Sequence, residues 1–540
     1  MTWHLAKKDF LNNVVSARFV IGFVLCLVLI PFSILVNIDG FREKSRLYQT
    51  DRDMADKSSK HVRVYSALRP EIVLPPEPLS IFSKGISDRV GNRIKIWLGE
   101  KPMLAEGRAA TRDNPFLDAF FSVDFVDIAA IVFSLLALLF SYDAFTREKE
   151  EGTLKLQMSN ALARSKLLGG KLVGILLTLL PVLVFCFLLG AALILLSRAL
   201  TLSVFDWERL LVLAVGSLLY LTVFIFIGLL VSARSRTSIT SLVICLLLWV
   251  VLVFIIPNLS GYFAESFVRV QSRDNLSRVL ADLDKDMKAK LEEFAKTLPE
   301  PESSYFTSID YWYYHRGEDG LKEMYGCLRS IFERERQFSA YSEPLRIDYA
   351  EKKWASQKAF LESLDRQARI GNELSMISPA GVFRILASSI CATDRKTHEE
   401  TLDSARRYRE TFIGYLRGKD IFRSFAWITP TPPESFPTAD AIVEKRTGGE
   451  FKTLQAYADW AVRQKDSFEI YRKLQKVKVP GDQPDDFPYL NINDMPAYAR
   501  GPISLLAVFE SNIIRIGLLI IEGIFLFYLS YIAFIRYDVR

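Results

Sequence analysis

Histidine is nearly missing from this chain. His4, His61, His315 and His398 are the only four in 540 residues, and they are scattered without ligand spacing, so no metal site is expected. The 27 glycines never fall in the order G-x-x-x-x-G-K-[ST], so the chain has no phosphate-binding loop of its own. G-x-S-x-G and H-E-x-x-H are also absent, and no group of side chains has catalytic spacing, which argues against an enzyme. An excess of one charge is lacking too. Sixty-eight Lys and Arg stand against 62 Asp and Glu, and a net +6 over this length does not suggest nucleic acid. Only five cysteines are present. Cys26, Cys186 and Cys245 lie in apolar runs and read as small packing residues. Cys327 and Cys391 lie in a large polar segment, where a disulfide between them and two free thiols are equally open readings.

What is plentiful is apolar residue. Half of the chain is hydrophobic, yet 24% is charged. That is too apolar for an ordinary soluble protein and too charged for a bare bundle, so membrane spans plus sizeable aqueous domains fit both numbers. The first apolar run, 19–38, is long enough to cross a bilayer, is longer than a signal-peptide core and has no A-x-A site after it, so it reads as an uncleaved anchor. Further spans are expected at 124–142, 172–197 with Pro181 as a kink, 210–232, 239–257 and 512–535. The fold class is therefore mainly α: six transmembrane helices and a mostly helical aqueous domain with a small α+β part.

Between the second and third spans lies YDAFTREKEEGTLKLQMSNALARSKLLGGK, residues 142–171. It is too charged for hydrocarbon. Glu148, Glu150 and Glu151 lead into Gly152 and Thr153. Leu154, Leu156, Met158 and Leu162 then alternate with polar residues before Arg164, Lys166 and Lys171. The pattern predicts a short amphipathic helix along the membrane surface, acidic at its start and basic at its end. A solvated charge run beside the membrane is the plain alternative. The run E-x-x-E-G-T-L-x-L, then an Arg about ten residues on, then G-K, resembles the coupling segment of six-span ABC exporter permeases (the ABC-2 type). It does so at Glu148, Glu151, Gly152, Thr153, Leu154, Leu156, Arg164, Gly170 and Lys171. It departs at Ala161, where family members usually carry proline. The resemblance implies that this segment, from Arg147 on, docks into a separate cytosolic ABC ATPase, which holds the ATP and magnesium. It also implies a second permease subunit, identical or paralogous. The chain itself would bind no cofactor.

Six spans put both ends of the chain on one side. Lys7, Lys8 and Arg18, the 147–171 basic residues, Arg234, Arg236, Arg536 and Arg540 all fall on that side. The one short loop opposite sets Arg198 and Arg209 against Asp206 and Glu208. The positive-inside rule places both termini in the cytoplasm, and the resemblance implies that the membrane is a bacterial inner membrane.

The domains expected are then 1–38, the N-terminus and first span; 39–122, a first extracytoplasmic segment; 123–258, spans two to five with the coupling segment at 143–171; 259–511, a large extracytoplasmic helical domain; and 512–540, the sixth span and tail. Within 39–122 a helical piece is expected at 41–65 and a strand at 93–98. Leu276, Leu280, Leu283, Met287, Leu291 and Phe294 keep helical spacing and predict a long helix continuing from the fifth span. Ser378 and Pro379 open an apolar helix whose composition suits the membrane surface. The runs P-P-x-P-L-S-I-F-S-x-G at 75–85 and S-P…A-T-D at 378–394, with His398, resemble a subset of the same permeases that carries an extra extracytoplasmic domain.

Two charges fall inside the sixth span. Arg515 and Glu522 lie on roughly one face, and a charge at that depth costs about 3 kcal/mol or more unless it is paired or faces water. Glu522 then faces a translocation path or subunit seam, or it bonds a neighbouring span. The aromatic run 311–314 suits either domain core or contact with membrane lipid. These readings give an ATP-driven exporter permease. The alternative is a transmitter of signal or force whose outer domain binds a protein partner.

Overall fold

A computed structural model describes residues 2–87, 89–103, 124–154, 164–197, 200, 202–270, 272–299, 317–430, 439–461, 463–464, 488–499 and 505–536. The side chains of 317–331 are not among them. Six helices are long and apolar enough to cross a membrane, as the sequence predicts. The fold is mainly α.

The chain begins with a helix the sequence reading missed, α1, Thr2–Val14. Ser16 ends it and caps the next helix by accepting from the Phe19 N–H. That helix, α2, runs unbroken over Ala17–Lys60. At 1.5 Å per residue it is about 66 Å long, roughly twice a hydrocarbon core, so the first span and the expected 41–65 helix are one rod. Strands β1, Glu71–Val73, and β2, Arg93–Lys95, pair antiparallel with Ile72 opposite Ile94, a shorter strand than the 93–98 expected.

The second span, α3, is helical over Phe125–Ile128 and Ser134–Ser141, with a π turn at Ala129–Phe133 between them. A π turn releases carbonyls that no water can satisfy in hydrocarbon. The Ala130 carbonyl accepts from Ser134 Oγ at 2.5 Å and from Tyr220 Oη at 2.7 Å, so the fourth span answers the defect. Next come the short α4, Thr146–Glu150, the third span α5, Arg164–Ser197, and the fourth span α6, Val204–Arg234. The fifth span, α7, Ser238–Phe267, has a second π turn at Val251–Ile255, where the Leu252 carbonyl accepts from the Ser378 hydroxyl.

The expected continuation of the fifth span into one long helix is corrected. Val268 takes an extended conformation, and Ser272 caps a separate helix, α8, Arg273–Thr297. One helix, α9, spans Gly317–Ser375, with Pro344 inside it. α10, Pro379–Ile390, starts on Ser378 and Pro379 as expected, but it does not lie on the membrane surface. Nine of its twelve residues are buried and only Arg384, Ile385 and Ser388 are half-buried, because it inserts into one end of the bundle. Phe383 stacks on Tyr220 at 4.6 Å, and Arg209 Nε donates to the Ile390 carbonyl at 2.6 Å. Arg384 meets Asp127 at 3.4 Å, which accounts for that acid at the end of the second span.

α11, Arg395–Gly418, then packs with the sheet, Ile347 and Trp427 into a second, separate core. Short helices α12, Ala439–Arg446, and α13, Leu454–Ala461, precede the sixth span α14, Leu505–Ile535. The aromatic run 311–314 lies outside the described residues. Cys391 is a buried thiol at the end of α10, and the Cys327 side chain with which a disulfide was an open reading lies outside the described residues.

The fourth span is the centre of the bundle and touches the second, third, fifth and sixth spans. Its Gly228 meets the second span so closely that an added Cβ would sit 1.8 Å from Ser141 Oγ. Gly228→Leu should therefore force these two helices apart and cost about 1–3 kcal/mol. The expected result is a lower apparent melting temperature of the detergent-solubilised chain; an unchanged one would contradict this crossing.

Candidate functional site

The segment after the second span is built on helix-end chemistry. Tyr142 to Phe145 turn the chain, and α4 sets its residues alternately inward and outward. The Phe145 and Thr146 N–H groups donate to Ser232 Oγ at 2.9 and 3.2 Å. Ser241 Oγ donates to the Tyr142 carbonyl at 2.7 Å. The turn is thus held between the end of α6 and the start of α7.

Two adjacent side chains complete the joint. Lys149 Nζ donates to the Ser232, Ala233 and Ser235 carbonyls at 3.2, 2.6 and 2.9 Å, at the C-terminal end of α6. Glu150 accepts from the Ser238 N–H at 2.8 Å and the Ser238 hydroxyl at 2.6 Å, at the N-terminal end of α7. A cation therefore meets a helix C-terminus and an anion meets a helix N-terminus, which is the favourable sense of both dipoles. The sequence reading named Glu150 only as part of an acidic run and did not single out Lys149. The available signal was the tight 233–237 turn between two spans, which leaves two helix ends close together and in need of opposite charges.

Glu148 points the other way. Its Oε1 lies 2.6 Å from Lys171 Nζ, which also lies 3.4 Å from Asp9 on α1. Lys171 is 6% exposed. One buried ammonium thus ties α4, the third span and the N-terminal helix. α1 reaches it because Gly174 lets it close in: a Cβ there would lie 2.9 Å from Asp9 Cβ. Burial raises the Asp9 carboxyl above its ordinary value, with Lys171 opposing the shift. Arg164 donates to the Phe534 carbonyl at 3.4 Å and to the Ile535 carbonyl, and Phe145 stacks on Phe534 at 4.5 Å. The sixth span is thereby joined to the same knot. Arg18 adds an ion pair to Asp143 at 2.7 Å and lies over the Tyr142 ring.

Of the residues singled out from sequence, Glu148, Leu154, Arg164 and Lys171 turn inward as ties, and Leu154 is 1% exposed. Arg147, Glu151 and Gly152 turn outward, with Arg147 and Glu151 paired at 2.9 Å. Thr153 Oγ1 donates to the Glu148 carbonyl at 3.4 Å. Leu156, Met158 and Leu162 lie outside the described residues. The single amphipathic helix expected to run on through Gly152 is corrected. Gly152 takes φ +70°, a left-handed conformation that ends the turn after α4, and Thr153 begins helical backbone anew. That explains why glycine stands there.

The two intramembrane charges do not meet. Arg515 bonds back to the Ser511 carbonyl at 2.9 Å and Asn512 Oδ1 at 2.7 Å, and no ion pair joins it to Glu522 among the described residues. Glu522 Oε2 is buried without a hydrogen bond among them.

A six-span helical bundle with a charged, structured segment between spans two and three defines a polytopic membrane protein. The sequence model of the ABC-2 family transporter proteins matches residues 3–432. The chain belongs to that family and is a membrane permease component of an ABC transporter. Among curated proteins none matches it.

Lys171→Met should leave two buried carboxylates facing each other and destabilise the fold by about 3–5 kcal/mol. Adding Glu148→Gln should recover a large part of that loss. Thermal unfolding of the single and double variants checks it, with equal losses in both as the contrary result.

Proposed function

We propose that this chain is the membrane-spanning subunit of an ATP-driven exporter in a bacterial inner membrane, with both termini cytoplasmic. A separate cytosolic ABC ATPase docks on the segment that starts at Arg147 and binds the ATP and magnesium. A second permease subunit, identical or paralogous, completes the path. One observation carries the reading: α4 and the turn that ends it have an outward face of Arg147, Glu151 and Gly152, while Lys149 and Glu150 fasten α4 to the ends of the fourth and fifth spans. A push on the outward face is thereby delivered to helices that cross the membrane. Family membership supports the ATPase, and the charge bias of the short loops supports the orientation.

In the proposed cycle ATP binding closes the ATPase dimer, and its motion turns α4. Lys149 and Glu150 carry the turn to α6 and α7, and the Lys171 tie carries it to α5 and α1. The spans of the two subunits then shift between inward and outward arrangements.

Docking and transmission are separable. Glu151→Arg reverses a charge on the outward face and should release the ATPase from the membrane complex. Lys149→Met should leave the ATPase bound but lower its stimulation by the permease at least about tenfold, since it loosens the joint and spares the surface. Co-purification ratio and ATPase rate in reconstituted membranes read the two separately. Retention of bound ATPase by Glu151→Arg would remove this surface as the dock.

A second reading has its own support. α2 is one helix from the span into the polar domain, and α10 of that domain is locked into the bundle. Such rigid joints suit a transmitter of force to a protein partner outside, with nothing crossing the bilayer. Substrate movement into reconstituted vesicles favours the exporter.

A further inference from the structure

Two stretches far apart in the chain close against the polar half of α2. Residues 74–87 and 90–93 form one wall, and the turn after α10 with the first turns of α11 forms the other. The walls are joined where the Ile86 N–H donates to the Thr393 carbonyl at 2.9 Å, beside Gly85 at φ +50°. They enclose a cavity of about 460 Å³. That is the size of a small-molecule site, and it lies outside the transmembrane bundle.

The lining sets the chemistry of an occupant. Leu47 and Met54 of α2 face Leu74, Pro75, Ile86 and Val90, which gives the cavity an apolar body. Its hydroxyls are already spent as donors. Ser80 donates to the Glu77 carbonyl at 2.7 Å, Ser87 to the Lys84 carbonyl at 2.6 Å and Thr50 to the Arg46 carbonyl at 3.1 Å. Thr393 donates to the Ser388 carbonyl at 3.2 Å, Thr397 to Asp394 at 2.5 Å and Thr401 to the Thr397 carbonyl at 2.9 Å. A hydroxyl whose proton is committed can offer a ligand only its lone pairs. The charged lining adds three carboxylates, Asp51, Glu77 and Asp394, against Lys44 and Arg93, an excess of one negative charge. Burial holds the His398 ring below its ordinary value, so at neutral pH it adds no positive charge. Among the described residues its Nε2 is buried without a hydrogen-bond partner.

An acceptor-rich, slightly negative, apolar-walled cavity disfavours an anion and suits a donor. We propose that it binds a small amphipathic amine, with the apolar part between α2 and Ile86 and Val90 and the N–H-bearing head toward the hydroxyl and carboxylate oxygens. This goes beyond the permease reading, because the site needs neither ATPase nor transport. It also offers α2, which crosses the membrane, and the end of the inserted α10 a shared ligand.

The test uses the full chain in lipid nanodiscs, with empty nanodiscs subtracted. The probes are dansylcadaverine, which carries an ammonium, and dansyl-6-aminohexanoate, which carries the same fluorophore on a carboxylate. Saturable binding at least about tenfold tighter for the ammonium is expected. Leu47→Trp and, from the opposite wall, Val90→Trp should each weaken it about tenfold by filling the space, and Asp51→Asn should narrow the preference between probes. Equal binding of the two probes, or binding indifferent to both tryptophans, would overturn the proposal. A benzophenone-bearing alkylamine gives a readout on the unaltered chain. Labelling within 44–54 and 392–401 supports the site, and labelling confined to the spans refutes it.

Discussion

A backbone carbonyl that leaves its helix where no water can reach must find a donor, and most of this structure follows from meeting that demand. Both π turns expose a carbonyl, and each is answered from another helix, Ala130 by Tyr220 and Leu252 by Ser378. Helix C-termini face the same need. Lys149 serves the end of α6, Arg209 the end of α10, Arg164 the end of α14, and Arg42 the last carbonyl of α5 at 2.9 Å. Each donor lies on a different element from the carbonyl it serves. Satisfying the helix ends is therefore the same act as joining the helices.

That economy changes how the charged residues near the membrane are understood. Counted from sequence, they report only a bias of sign across the bilayer. In three dimensions several are buried fasteners. A buried ion pair adds little net stability, because desolvation offsets the attraction, but removing one partner is expensive. The Glu148, Lys171 and Asp9 group fits that description. Its effect is to fix one arrangement of α1, α4 and α5 and to make departures from it costly, which is what a mechanical joint requires.

The six spans were legible because an apolar run of twenty residues admits one reading in a lipid-facing protein. The position of the charged segment between the second and third spans was legible too, since charge between two spans has only one place to go. Its internal construction was not. The direction of Glu148 depends on Lys171 and on an N-terminal helix whose residues look merely basic in sequence. The break at Gly152 is a matter of backbone sign, which the letters Glu-Gly-Thr permit without requiring. α10 failed for a different reason. An apolar helix of twelve residues is compatible with a membrane surface and with a protein interior, and only the partners on α6 decide.

Those partners bear on what the polar domain does. Had α10 rested on the bilayer, the domain could tilt at little cost, since a lipid surface imposes no register. Instead Arg209 holds the Ile390 carbonyl, Asn512 Nδ2 bonds Ser389 at 3.0 Å and Arg384 reaches Asp127, so three spans grip one helix. α2 enters the same domain from below without a break. Two rigid attachments at separate points leave few ways for the spans to move without moving the domain. Any shift of α6 driven through Lys149 at one end reaches α10 through Arg209 and Tyr220 toward the other. In the proposed cycle the fourth span would be a shaft between the two, and the domain would move with it.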